Sequence, residues 1–319
     1  MKRIIFAICT LLCANVLSAQ EQLAVLRHND STSVFYGASA FVQAYTAAAN
    51  GDIITLSDGT FTTPSYIQKG ITVRGNGAVA DTARKSFGTY FRNRFYLDQL
   101  YGLQFSAEGI YFDEFYARYS YNIKLTRCYI DNFSQDGGVQ ATNCIIRNHI
   151  YGTSSRNNTY INCVLLGSSY LPYYATCNNC IILGIGDNYT GGVYGPYNNC
   201  IIMRNGTSND TILYGIINNS VLIGFTGVSH SAASGNVVMS RSDVFENWVG
   251  ASLIDLEKYV LKSSVSDSIQ GIDGTEVGIF GGFMPFDWRP SYNIFKRFNV
   301  ANRTTADGKL SVDIEVISE

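Results

Sequence analysis

The phrase NNCIILG at 178–184 returns as NNCIIMRNG at 198–206, and INCVLLG at 161–167 and NNSVLIG at 218–224 are close variants. Aligned on this refrain, the chain repeats a short unit: Cys128-Tyr-Ile, Cys144-Ile-Ile, Cys163-Val-Leu, Cys180-Ile-Ile, Cys200-Ile-Ile, Ser220-Val-Leu and Val237-Val-Met. The steps are 16, 19, 17, 20, 20 and 17 residues, and Gly109-Ile-Tyr-Phe lies 19 residues before Cys128. Self-similarity at a near-fixed period, with one strand-like apolar run per unit, is the signature of a solenoid. A leucine-rich repeat would need spaced leucines and room for a helix. These units instead offer β-branched triplets separated by Asn, Gly, Ser and Tyr, which favours a parallel β-helix.

Each unit is then one coil, with equivalent residues stacked about 4.8 Å apart along the axis. Asn143, Asn162, Asn179, Asn199, Asn219 and Asn236 precede the stacked position. Asn tolerates left-handed backbone, and its amide can bond a like amide one coil away, so this column is expected to form a turn ladder. The cysteines are expected to be free and buried, because the coil spacing exceeds the usual Cβ separation of a disulfide. Cys177 and Cys180 form a C-x-x-C without a thioredoxin-like setting. No zinc set is expected, since a second C-x-x-C is absent and the three histidines are scattered. His28 and His230 have no evident partner in the sequence.

Two aliphatic residues follow each cysteine, yet successive strand residues point to opposite faces. Either the strand bends so that both face inward, or one column forms an apolar outer ribbon that the C-terminal segment must cover.

The ends read differently. Lys2 and Arg3, the apolar run Ile4 to Val16, small Ser18 and Ala19 and then polar Gln20 have the order of a signal peptide, residues 1–19, with cleavage expected near Ala19. The expected location is secreted, periplasmic or cell-surface, with no membrane span. In FYGASAFVQAYTAAANGDIITLSDGTF, residues 35–61, Ala40, Phe41, Ala44, Tyr45 and Ala48 recur at helical spacing, Asn50-Gly51 stops the helix, and Ile53 to Leu56 reads as a strand. The helix should cap the first coil. Residues 20–240 are expected to form this capped β-helix, and 241–319 C-terminal coils and a cap packed on it. There SLIDLEKYVL at 252–261 reads as a helix or irregular coil, KLSVDIEV as an alternating strand, and Phe283, Phe286 and Trp288 as a seal on the core.

With 23 basic and 25 acidic residues the net charge is −2, which leaves no basic footprint for nucleic acid.

The helix followed by NGDIITLSDGTF, then GITVRGNG at 70–77 and the Asn-Cys coils, resembles the opening of pectate-lyase-like, right-handed parallel β-helix proteins. GIDGTEVGIFGG at 271–282 and ADGKLSVDIEV at 306–316 resemble secreted or surface β-helix proteins of polysaccharide-degrading gut bacteria. The resemblance implies an all-β, single-stranded right-handed parallel β-helix and a polysaccharide partner. It spans most of the chain and is specific for fold rather than activity, since such proteins include lyases, hydrolases and proteins without an assigned reaction. A lyase of this kind would call for Ca2+, though no metal ligands are assigned here and no other cofactor is expected. A polygalacturonase-type hydrolase would carry Asn-Thr-Asp, Asp-Asp, Gly-His-Gly and Arg-Ile-Lys, none of which occurs.

Counting outward from the stacked position, Asp113 and Glu114 end one strand, Asp131 and Asn132 the next, and Arg147, Asn148 and His149 the one after. Later coils carry Gly167, Gly184 and Gly224 near the same place. Asp113, Asp131, Arg147 and His149 are the candidate catalytic residues, since paired carboxylates beside Arg and His can exchange protons. Glu114, Tyr116, Tyr119, Asn132 and Asn148 are candidate substrate contacts, with a second tyrosine cluster in SSYLPYY at 168–174. The leading expectation is a surface β-helix that binds or presents polysaccharide. A lyase or glycoside hydrolase using the early-coil cluster is the alternative, and a structural surface protein or adhesin is the third.

Overall fold

The computed structural model describes residues 22–80, 87–136, 138–151, 158–166, 175–185, 195–204, 212–247, 259–289, 294–300 and 312–317. The proposed signal peptide, the 168–174 tyrosines and most of 252–261 lie outside them. The chain winds into a right-handed parallel β-helix of about eight turns.

Strands alternate between two long sheets. The first stacks Ile53–Leu56, Thr72–Arg74, Phe105–Glu108, Ile123–Thr126, Val139–Thr142, Asn158–Ile161, Ala175–Asn178, Tyr197–Asn198 and Ile217–Asn218. The second stacks Gly59–Phe61, Thr89–Tyr101, Tyr111–Ser120, Tyr129–Gln135, Ile145–Tyr151, Val164–Leu165, Ile181–Ile185, Ile201–Arg204, Val221–Ile223 and Val237–Met239. Pairing between successive coils is parallel and in register, as in Ile145↔Val164 and Ile181↔Ile201.

The turns from the first sheet into the second use left-handed backbone from the Phe105–Glu108 coil to the Ile217–Asn218 coil. Asn143, Asn162, Asn179, Asn199 and Asn219 have φ between 46 and 57°, and Arg127 and Gly109 hold the same conformation on the earlier coils. Asn accepts this geometry at low cost, which explains its recurrence there. Asn236 is not among the left-handed residues; it accepts from Ser220 N (3.1 Å) and donates to Ile217 O.

The amide ladder runs mainly one residue earlier. Asn218 donates to Asn198 (3.2 Å) and Asn198 to Asn178 (3.0 Å), whereas in the left-handed column the coil-to-coil amide bond is Asn199 to Asn179, at 3.4 Å.

The six cysteines among the described residues are free and buried. Cys128, Cys144, Cys163, Cys180 and Cys200 project into the interior cluster, and their thiols donate to carbonyls such as Ala141 O and Tyr160 O. Cys177 belongs to the first sheet, where register sets it between Tyr160 and Tyr197.

Of the two aliphatic columns, the second faces inward: Ile130, Ile146, Leu165, Ile182, Ile202 and Leu222 join the cysteines. The first, Tyr129, Ile145, Val164, Ile181, Ile201 and Val221, forms an outer ribbon buried in a separate cluster with Val244, Phe245, Leu261, Val265, Val277, Ile279 and Phe286. The outer-ribbon alternative therefore holds, and the C-terminal segment is its cover.

That cover is fastened to the left-handed turns. Asn219 donates to Gln270 O (3.1 Å), Asn199 accepts from Ile272 N (2.9 Å), and Asn179 donates to Glu276 O (3.3 Å). Asn162 donates to both Ile279 O and Gly281 O at 2.8 Å, and Asn143 to Pro285 O at 3.3 Å. Residues 270–285 thus form a strap that climbs from late coils to early ones, meeting one asparagine per coil. Close approach demands glycine at Gly281, where a Cβ would run into Glu276 O and within 2.8 Å of Asn179 Nδ2. Of the aromatic seal, Phe286 is buried and Trp288 packs on it with centroids 4.9 Å apart, but Phe283 is 83% exposed and seals nothing.

The expected helix spans Ala40–Ala47 and buries Ala40, Phe41, Ala44 and Tyr45 over the first coil, with Phe41 4.9 Å from Phe91. Beside it, Leu23–His28 and Ser31–Tyr36 form a hairpin that extends the first sheet antiparallel to Ile53–Leu56. The repeat gave no sign of this hairpin. Val312–Ile317 pairs antiparallel with Ile294–Val300 as a separate two-stranded sheet. No described helix is long and apolar enough to cross a membrane.

Candidate functional site

The early coils differ from the later ones in their aromatic interior. Register aligns Phe95, Phe115 and Phe133 in one column, and Phe91 with Phe112 in another. Phe91 stacks on Phe112 at 5.7 Å and Phe95 on Phe115 at 5.8 Å, each with planes 14° apart. These rings anchor strands longer than those of later coils, which continue round the corner of the coil instead of stopping there. Asp113, Glu114, Asp131 and Asn132 therefore sit in mid-strand, not at strand ends as expected. Two consecutive outward residues fit because an interior residue precedes the pair and another follows it: Phe112 and Phe115 on one coil, Ile130 and Phe133 on the next.

The column three residues beyond the stacked position shows what is special here. On later coils it reads Leu166, Leu183, Met203 and Ile223, all buried under the C-terminal cover. On earlier coils the same column reads Asp113, Asp131 and Arg147, and there the surface is open. A groove of about 610 Å³ is lined by Arg92, Asn93, Arg94, Tyr111, Asp113, Glu114, Asp131 and Asn132. The site begins where the apolar ribbon and its cover leave off.

Its charges are matched one to one. Arg92 Nη1 donates to Asp113 Oδ1 at 3.2 Å, Arg94 Nε to Glu114 Oε2 at 2.7 Å, and Arg147 Nη1 to Asp131 Oδ1 at 3.4 Å. The Tyr111 hydroxyl donates to the other oxygen of Asp131. Burial, and then this hydrogen bond, push the Tyr111 phenol well above its ordinary value, so it stays a donor. The hydrogen bond and charge of Glu114 raise Arg94 as well. Amides complete the row: Asn132 Nδ2 donates to Asp113 O (3.1 Å), and Asn148 Nδ2 to Asn132 Oδ1 (3.3 Å). Among the described residues no group of three or more His, Cys, Asp or Glu could hold a metal ion.

The tyrosines are largely occupied with one another. Tyr111 stacks on Tyr129 at 4.8 Å with planes 7° apart, and the Arg92 guanidinium lies 4.6 Å from the Tyr90 ring and 4.8 Å from that of Tyr111. Tyr116 meets Tyr96 edge-on at 4.7 Å and lies under Arg94. Tyr119 is exposed, with its ring beside Arg118 at 5.6 Å, and it does not line the groove.

The structure thus brings together Asp113, Glu114, Asp131 and Asn132, with Arg147 and Asn148 joined to them by hydrogen bonds. Register pairs the backbone of His149 with Phe133, in the column of interior phenylalanines, and its side chain is outside the described residues. Sequence reasoning missed Arg92, Asn93, Arg94 and Tyr111. A bulge between Phe91 and Arg94 sets extra residues opposite Asp113, which breaks the spacing by which the other coils were aligned. The segment TYFRNRFYLDQLY, alternating aromatics with charge, was the available signal. Away from the groove His28 does have a partner: its Nδ1 lies 2.9 Å from Asp52, a buried carboxylate that also accepts from Ala49 N.

No family model matches the chain, and no curated protein gives a significant match.

Proposed function

We propose that this chain is a secreted or cell-surface β-helix of the pectate-lyase-like type that binds polysaccharide on the open face of its early coils. The observation that carries this reading is the change of one column from Leu166, Leu183, Met203 and Ile223, covered, to Arg147, Asp131 and Asp113, open. Ion pairs this exposed contribute little to stability, with a median of about 0–1 kcal/mol, so stability alone is a weak reason for such a row. Donors and acceptors held in register on a rigid stack suit an extended ligand with many hydroxyl groups. Asp113, Glu114, Asp131, Arg147, Asn132 and Asn148 are its proposed contacts, with Arg92 and Arg94 beside them. Tyr116 and Tyr119 would flank the ligand, not stack beneath it.

A second reading rests on Asp113 and Asp131. Successive coils hold equivalent positions about 4.8 Å apart, close to the roughly 5 Å between the two carboxyl groups of a retaining glycosidase. Binding is preferred because both carboxylates already accept from arginine, and Asp131 also from Tyr111.

Purified protein screened against a glycan panel, for retention and for release of new chain ends, tests both readings. Binding without cleavage, weakened at least about tenfold in Arg94→Ala and Asp131→Ala, is the expected result. New chain ends that vanish in Asp131→Ala would establish the enzyme instead. Unaltered retention in both variants would remove this face from the account.

A further inference from the structure

We propose that the groove selects a neutral polysaccharide and rejects uronate-rich or sulfated chains; this rests on the polysaccharide-binding reading and names its substrate class. Three guanidinium groups, of Arg92, Arg94 and Arg147, meet three carboxylates, of Asp113, Glu114 and Asp131, within 3.4 Å or less. The formal charge of the face is therefore zero, and each charge already has its counter-charge.

An anionic sugar could reach a guanidinium only by displacing a protein carboxylate. That carboxylate would then stand unpaired beside the incoming one, and like charges at such range repel. A cationic ligand meets the same obstacle from the arginines. A sugar hydroxyl does not, because it donates and accepts at once. Arg94 uses Nε for Glu114, which leaves other N–H groups of its five free to donate, and a carboxylate offers about four lone-pair sites. A hydroxyl, or two neighbouring ones, can bridge an Arg–carboxylate pair without breaking it.

The neutral members of the face fit the same ligand. Register places Arg94, Glu114, Asn132 and Asn148 in one column along the helix axis, so charged donor, charged acceptor and two amides follow at one coil each. Asn93 adds an amide and Tyr111 a phenol held in its protonated form. All of these groups can bind hydroxyl or acetal oxygens, and none requires a charged ligand.

The test uses the intact protein against neutral chains (a β-glucan, a mannan, a xylan), uronate chains (polygalacturonate, alginate) and a sulfated galactan. Affinity is measured at about 50 and about 500 mM NaCl, where screening differs strongly. The expected result is saturable binding to at least one neutral chain, changing less than about twofold between the two salts, and none to the anionic chains. Glu114→Gln keeps the shape and leaves the face with one unmatched arginine. It should weaken the neutral ligand and admit a uronate chain at low salt that the wild type rejects. Preferred binding of a uronate or sulfated chain by the wild type, falling steeply with salt, overturns this inference and leaves the polysaccharide reading standing. Failure of every chain, neutral and anionic, overturns both.

Discussion

Asn162 meets two demands that no other side chain meets together. Its φ of 49° lies where a Cβ is costly, and its amide reaches two backbone carbonyls, Ile279 O and Gly281 O, in a buried setting. Asn162→Ala removes the donor to Gly281 O, leaves Ile279 O with Phe286 N alone, and keeps the backbone cost. It should destabilise the protein by about 2–4 kcal/mol in urea titration. Asn162→Gly relieves the backbone and loses only the hydrogen bonds, so its cost should be smaller, and the difference between the variants isolates the left-handed term. Equal losses would show that the backbone contributes nothing. The stacked thiols provide a second prediction at this scale. Burial first, and hydrogen bonding among neighbouring thiols second, hold Cys128 and Cys177 well above the ordinary thiol value of 9.0. Below that pH native and unfolded chains both keep the proton, and stability is complete. Above it the unfolded chain releases protons that the native stack retains, so stability must fall as pH rises further. Urea midpoints measured from pH 7 upward should stay level and then drop, and thiol reagents should label these cysteines only on unfolding. A midpoint that stays level through the alkaline range would refute the first part, and fast labelling of native protein the second.

The strap shows which elements the sequence reveals and which it hides. The coils are legible because one apolar run recurs near a fixed period. The need for a cover is legible as one of two alternatives, since Val164 and Leu165, or Ile181 and Ile182, point to opposite faces unless the strand bends. What holds the cover is hidden. The asparagines bond main-chain carbonyls as much as 142 residues away, as in Asn143 to Pro285, and a carbonyl leaves no residue pattern. The column of asparagines is legible, but not whether each amide turns to its neighbour, as Asn199 does to Asn179, or to the strap, as Asn162 does. Likewise Asp113, Asp131 and Arg147 were found by counting from the refrain, whereas Arg92 and Arg94 lie beyond a bulge that counting cannot cross. Val277, buried against the ribbon, is where the strap can be loosened without touching an asparagine. Val277→Asp puts an unpaired carboxylate in that cluster, at a cost of about 3 kcal/mol. Amides of 270–286 should then exchange with solvent much faster than those of the interior strands, whereas wild-type strap amides should be protected. Equal protection in both proteins would mean that the strap does not depend on this contact.

At the scale of the whole molecule the strap alters how a solenoid holds together. Coils that touch only their neighbours have a stability close to a sum of local terms, and such stacks can fray from either end. Here residues 270–285 contact the turns before Cys144, Cys163, Cys180, Cys200 and Ser220, and so tie together coils that do not otherwise meet. Beyond them, burial disfavours the charge of Asp287, yet the hydrogen bonds and charge of Arg289 and then the charge of Arg127 hold its carboxyl below its usual range. The two halves of the stack are not equal without it. Early coils carry the stacked phenylalanine columns, and later coils fill the interior mainly with aliphatic and thiol side chains, with Tyr160, Tyr197 and Phe225 as their buried aromatics. In the wild-type protein, then, amides of Ile130, Ile182, Ile202 and Leu222 should exchange with similar opening free energies. In Val277→Asp the set should split, Ile202 and Leu222 opening first while Phe112 and Ile130 keep most of their protection. A variant that loses protection uniformly would show that the coils are cooperative through their own neighbours and that the strap only shields them. Because the groove sits on the coils expected to persist, glycan affinity in Val277→Asp should remain within about twofold of wild type, as the additivity of distant sites requires. A parallel loss of affinity and late-coil protection would instead join the strap to the binding face.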